Sequence, residues 1–217
     1  MSTQPRSSAA SRTPPRGRWL RIALWLVVGT MAYNAVEAIV ALAAGVSARS
    51  IALVGFGLDS MIELAAAGFV LWRLRVEAMG ASPAVVERAE SRVGRFVGWT
   101  FILLALYVTV QSIWILAARR TPEESWLGLA LATASLVVMP LVALAKLRAA
   151  REIGSGSLRA EAKETLACSY LSLCLFLGLG ANAVAGWWWA DPSAALLMVP
   201  WLIKEGLEGI RGDPCAC

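Results

Sequence analysis

Apolar residues in this chain come in long unbroken runs, not at the period of a helix or strand half exposed to water. The first run extends from Ile22 to Val46, the second from Ile51 to Trp72 and the third from Phe96 to Ala118. A fourth covers Trp126 to Ala145. The fifth covers about Leu166 to Trp189, preceded from Arg159 by a polar but helix-favouring segment. Crossing a hydrocarbon core takes roughly 20 apolar residues as helix. Lipid offers no partner to a bare backbone amide, so only helices or a closed barrel can span it. Barrel strands alternate polar and apolar positions, and these runs do not. The pattern predicts an all-α, polytopic membrane protein with six transmembrane helices. The sixth run is the shortest: it starts at Pro192, after a break at Asp191-Pro192, and soon meets Lys204, Glu205 and Glu208. It spans only if those charges sit at the membrane surface.

The polar stretches set the organisation. Residues 1–17, rich in Ser, Pro and Arg, predict a disordered cytoplasmic arm. Residues 18–211 form one membrane domain and 212–217 a short cytoplasmic tail. A signal peptide is the rival reading of the first run, helped by the small residues around Ala41–Ala44. Its apolar core would be only ~7–15 residues long and would not hold an acid, whereas this run carries Asn34 and Glu37. Pro83, Glu87, Arg88, Glu90 and Arg92 separate runs two and three, Pro140 predicts a kink in the fourth helix, and Gly154 to Ser157 reads as a linker.

Composition agrees with this reading and narrows it. The chain is 58% hydrophobic, more than a soluble domain of 217 residues carries. Its net charge of +5 would suit nucleic acid or a membrane surface. The basic residues, however, lie at the ends of the apolar runs without interleaved aromatics, so no nucleic-acid partner is expected and the lipid bilayer is. With six spans and a cytoplasmic N-terminus, all of the 20 Lys and Arg residues except Arg49, Arg119 and Arg120 fall on the inner side. That predicts a multi-pass protein of the cell (inner) membrane with both termini cytoplasmic, and Trp187, Trp188 and Trp189 as an outer aromatic belt. Cys168 and Cys174 lie in the fifth run and Cys215 and Cys217 close the chain; reduced thiols are expected. Histidine is absent, which removes the commonest metal ligand and general base.

An ionisable side chain deep in a span costs roughly 2.5–3.5 kcal/mol on insertion scales and is a functional candidate by default. Asp59 and Glu63 in the second run are spaced i, i+4, so both carboxylates share one helix face. A divalent ion between them would relieve repulsion and desolvation together; protonated carboxyls bonded to neighbouring helices are the plainer reading. Glu164 and Cys168 form a second i, i+4 pair, with Glu161 one turn earlier. Carboxylates and thiolates both ligate divalent metals, and Asp59, Glu63, Glu164 and Cys168 make a set of four that suits a tetrahedral ion such as zinc. Against this, Glu164 would serve equally as an interfacial charge and Cys168 as a small core residue. Asn34, Glu37, Tyr107, Gln111 and Asn182 either line a cation path or bond helices together. The terminal Cys215-x-Cys217 either hands over soft metals or is an unstructured tail.

These motifs carry a resemblance. Ser50-Ile51-Ala52-Leu53 followed by Asp59-Ser60-x-x-Glu63 resembles the second helix of the cation diffusion facilitator family, where an acid-x-x-x-acid pair binds the transported metal. The segment Ala160 to Cys168 is similar to that family's fifth helix, with Glu164 where the family has His and Cys168 where it has Asp. Trp189-Ala190-Asp191-Pro192 with Ala194-Ala195-Leu196 resembles its junction into helix six. The likeness covers roughly residues 20–210, without the family's His-rich loop or its metal-binding, dimer-supporting C-terminal domain. It implies a metal cation efflux transporter, zinc-like in preference and coupled to protons by antiport. It implies no enzyme activity and no resident cofactor; the partners are a divalent metal, zinc foremost, and protons, with a homodimer left open. The rival readings are a non-transporting membrane sensor or assembly protein on the same fold and, more remotely, a membrane-embedded metal hydrolase, for which no histidine and no Ser-Lys or Cys-base pair is present. One difficulty stands: counted from the outer ends of the runs, Asp59 and Glu63 lie shallower than Cys168.

Overall fold

Each apolar run becomes a helix, and most helices outlast the run that predicts them. The computed structural model describes residues 16–78, 83–120 and 123–211. These residues form α1 (Arg16–Ala48), α2 (Ile51–Ala78), α3 (Pro83–Ala118), α4 (Trp126–Ile153), α5 (Gly156–Ala185) and α6 (Ala190–Arg211), with no strand among them. Residues 1–15 of the arm and the tail with Cys215 and Cys217 lie outside the described residues. Arg16 and Gly17, expected in the arm, open α1. The described parts of the polar stretch after the second run belong to the end of α2 and the start of α3. Its Arg, Glu, Val and Ala residues sustain helix once a span has nucleated it, and Pro83 suits a first helical position.

The expected linker at 154–157 contracts to a two-residue joint. Gly154 closes α4 in the left-handed region (φ 69°), which glycine enters without strain. Ser155 caps α5, its hydroxyl accepting from the Leu158 amide at 3.3 Å. At the far end of α5, Gly186 (φ 65°) ends the helix four residues before Ala190 begins α6. The α4 helix runs unbroken through Pro140.

Five helices, α1 to α5, are long and apolar enough to cross a membrane. The sixth has the length, 22 residues, but carries Lys204, Glu205 and Glu208 towards its end. Trp187 and Trp189 stack at 5.3 Å in the turn before it, both exposed. Polarity is inverted relative to a water-soluble domain. Trp25, Val36, Ile39, Leu103 and Val184 face outward, while Glu37, Asp59, Glu63, Lys146, Glu161 and Asp191 are buried. Such a distribution is stable only with lipid as the outer solvent.

The α2 helix is the hub, packed on α1, α3, α5 and α6; α1 also meets α4, α4 meets α5, and α3 pairs with α6. With no hydrophobic drive between helices in lipid, close approach depends on small residues. A Cβ at Gly98 of α3 would lie 2.7 Å from the Gly206 carbonyl of α6, so these backbones touch. A Cβ at Gly178 of α5 would lie 2.5 Å from the Ala194 methyl carbon of α6.

The buried apolar residues form two clusters. One includes Ala41, Phe56, Met139, Cys168 and Leu171; the other includes Val27, Ala67, Ala149 and Leu158. On α1, α2, α4 and α5 the residues between the clusters include the buried polar ones: Asn34 and Glu37, Asp59 and Glu63, Lys146, and Glu161 and Thr165. A polar layer therefore lies across the four-helix core.

Candidate metal-binding layer

Register between α2 and α5 is fixed at one end by Asp191. This residue is wholly buried in the first turn of α6 and reaches the N-terminus of α2. The Ser50 hydroxyl donates to its Oδ1, and the Ile51 amide donates to Oδ2 at 3.0 Å. Ser50 Oγ in turn accepts from the Leu53 amide at 3.1 Å. An acid at a helix N-terminus satisfies free amides and complements the helix dipole. The Ser-Ile-Ala-Leu and Ala-Asp-Pro segments are thus two halves of one joint.

That joint resolves the difference in depth. Gly178 packs on the turn of α6 that holds Asp191, so it is Gly178, not the Trp188 end of the fifth run, that lies level with Ser50. At ~1.5 Å rise per residue, the outer turns of α5 extend past the start of α2. Counting inward from this shared level brings Glu63 beside Thr165. The Thr165 hydroxyl donates to Glu63 Oε1 at 2.8 Å, and Glu63 and the Cys168 thiol face each other.

Around Glu63 the layer is charged. Lys146 of α4 is wholly buried; its ammonium pairs with Glu161 at 2.5 Å and donates to Thr165 Oγ1 at 3.0 Å. A chain of polar contacts therefore joins Lys146 through Thr165 to Glu63. Lys146 is not the cytoplasmic surface charge that its place near the end of the fourth run suggests. Two sequence signals point to its interior position: apolar residues precede it for a full turn, and Glu161 is an acid in need of a cation.

Glu37 belongs to a separate, closed network. Its Oε2 accepts from Ser60 at 2.8 Å and its Oε1 from the Ser135 hydroxyl. Ser135 is also bonded to the Tyr33 hydroxyl at 2.7 Å. Both oxygens of Glu37 are satisfied, and the residue ties α1 to α2 and α4.

Of the four expected ligands, Asp59 and Glu63 are buried on α2, Cys168 is buried on α5, and Glu164 is half-buried one turn below Cys168. Asp59 lies within electrostatic reach of Glu63, Glu37 and Glu164. Among the described residues no three acid or thiol side chains stand close enough together to hold one ion. Tyr107 is exposed and does not line the interior. Reasoning from sequence missed Lys146 and Thr165 as members of the layer and Asp191 as its anchor.

Residues 27–212 match the family model of the cation efflux transmembrane domain. A protein of Synechocystis sp. named as the uncharacterized transporter sll1263 is 28% identical over 150 residues, which is 68% of this chain and 48% of that protein. The chain spans about half the length of the curated relative it matches.

Proposed function

Starting from the chain's membership of the cation efflux family (the cation diffusion facilitators), we propose that it exports a divalent metal cation from the cytoplasm in exchange for protons. The observation that carries this reading is the meeting of Glu63 with α5 inside the bundle. The hydrogen bond from Thr165 joins Glu63 to α5 within one turn of Glu164 and Cys168, which supports the reading. In the proposed cycle, small movements of α2 against α5 bring Asp59, Glu63, Glu164 and Cys168 onto one ion. Carboxylate oxygens and one thiolate favour zinc among common divalent ions. Each acid must shed its proton to ligate, so metal and protons exclude one another, and that exclusion is the coupling. Rocking of helices around the layer would expose it to each side in turn.

Metal uptake by sealed proteoliposomes tests the reading. Zinc should accumulate in vesicles carrying the protein when their interior is the more acidic side, and collapse of the gradient should abolish accumulation. Zinc binding without flux would instead support the sensor reading. Orientation is tested separately, by labelling single cysteines near residues 8, 122 and 215. Position 122 should react only from outside; reaction only from inside defeats the proposed topology.

A further inference from the structure

Asn34 differs from Glu63 and Glu161 of the layer, which each have one bare oxygen, because both of its polar atoms lack a hydrogen bond. Its side chain is completely buried on α1, and neither Oδ1 nor Nδ2 has a hydrogen-bond partner. It faces Glu63. The Oε1 of Glu63 accepts from Thr165, whereas its Oε2 also lacks a partner. The amide and the carboxylate lie close enough to interact, yet neither is held in a hydrogen bond of good geometry, an arrangement in a buried site that calls for a reason. Glu37 lies one turn further along α1 and has both oxygens bonded, so this stretch of helix is able to satisfy a buried polar side chain. An alanine or leucine, frequent elsewhere on α1, would also remove the problem at position 34.

Resting on the reading of the layer as a divalent-cation path, we infer that Asn34 is a ligand from a third helix: its carbonyl oxygen and Glu63 Oε2 coordinate the transported cation together, opposite the Cys168 thiol. The Cys168 thiol faces the same carboxylate from α5, so α1, α2 and α5 each present one donor. An amide carbonyl is a neutral, hard oxygen donor. It adds a ligand without adding a further acid that must lose a proton first. The resulting set of carboxylate, carbonyl and thiolate accepts zinc or cadmium and still offers oxygen to manganese.

The test is equilibrium zinc binding by the purified full chain in detergent, together with its thermal midpoint without metal. Asn34→Leu keeps the size of the side chain and removes both polar atoms. It should weaken zinc binding by about tenfold or more, while the metal-free midpoint stays equal or rises because an unpaired amide is gone. Asn34→Asp keeps an oxygen donor, so it should retain binding and shift preference from cadmium towards manganese. Unchanged zinc affinity in Asn34→Leu, or a metal-free midpoint that falls together with the affinity, makes Asn34 a packing residue and overturns the inference. Absence of binding in the wild type itself would defeat the reading of the whole layer, and the ligand role with it. These two failures are therefore distinguishable.

Discussion

Asp191 and Glu63 are both carboxylates enclosed in the bundle, 0% and 4% exposed, and their surroundings are opposite. Asp191 accepts from a hydroxyl and a backbone amide at the start of α2, so each of its oxygens has a donor. Glu63 has one oxygen bonded to Thr165 and one bare. It shares its surroundings with a thiol, a bare amide and, through Thr165, an ammonium. Burial alone therefore does not separate these two acids; the state of their lone pairs does.

Substitutions separate the two kinds of surroundings. The largest effect is expected from Lys146→Met, which leaves Glu161 without its partner in the interior. Loss of one partner of a buried pair costs about 3–5 kcal/mol, so the thermal midpoint in detergent should fall steeply. The double variant Lys146→Met with Glu161→Leu should recover most of that loss. If the single variant melts like the wild type, the ion pair adds nothing and Lys146 is free to serve the cation path instead.

Asp59→Asn comes next and acts on function rather than fold. Zinc flux in proteoliposomes should drop by about a hundredfold or more, consistent with loss of a ligand, while the midpoint is unchanged or higher because repulsion from Glu63 is relieved. Undiminished flux would make the α2 pair structural and erase the contrast with Asp191. Asp191→Ala should do the reverse. Loss of the cap and of its donors' partner should destabilise the fold by about 2 kcal/mol, yet the folded fraction should bind zinc as the wild type does. A binding defect at full stability would show that Asp191 acts on the ion.

The smallest effects concern the identity of the sulfur ligand. Cys168→Ser should weaken zinc binding by about tenfold, and Cys168→Asp should keep binding but move preference towards manganese. Cys174, at i+6 along α5 and so on another face of the helix, provides the contrast, since Cys174→Ser should leave affinity unchanged. Identical zinc affinities for the two serine variants and the wild type would reduce Cys168 to a packing residue.

What the sequence determined by itself is the class of the protein, the positions of its spans and the acids on them. Backbone pairing in a helix reaches only four residues, and the demand that lipid places on each amide is met within its own span. An apolar run therefore declares a helix with no knowledge of its neighbours, and Asp59 and Glu63 declare a shared face by spacing alone. Which groups meet is settled by packing between helices. The level of α5 against α2 follows from where α6 docks, through Asp191 on Ser50 and Gly178 on Ala194. A shift of one turn there would move the Glu164–Cys168 pair about 5.4 Å relative to Glu63. Whether Lys146 reaches lipid headgroups or Glu161, and whether Asn34 finds a partner, depends on residues more than 10 positions away in sequence. Spacing along a single helix carries no information about them.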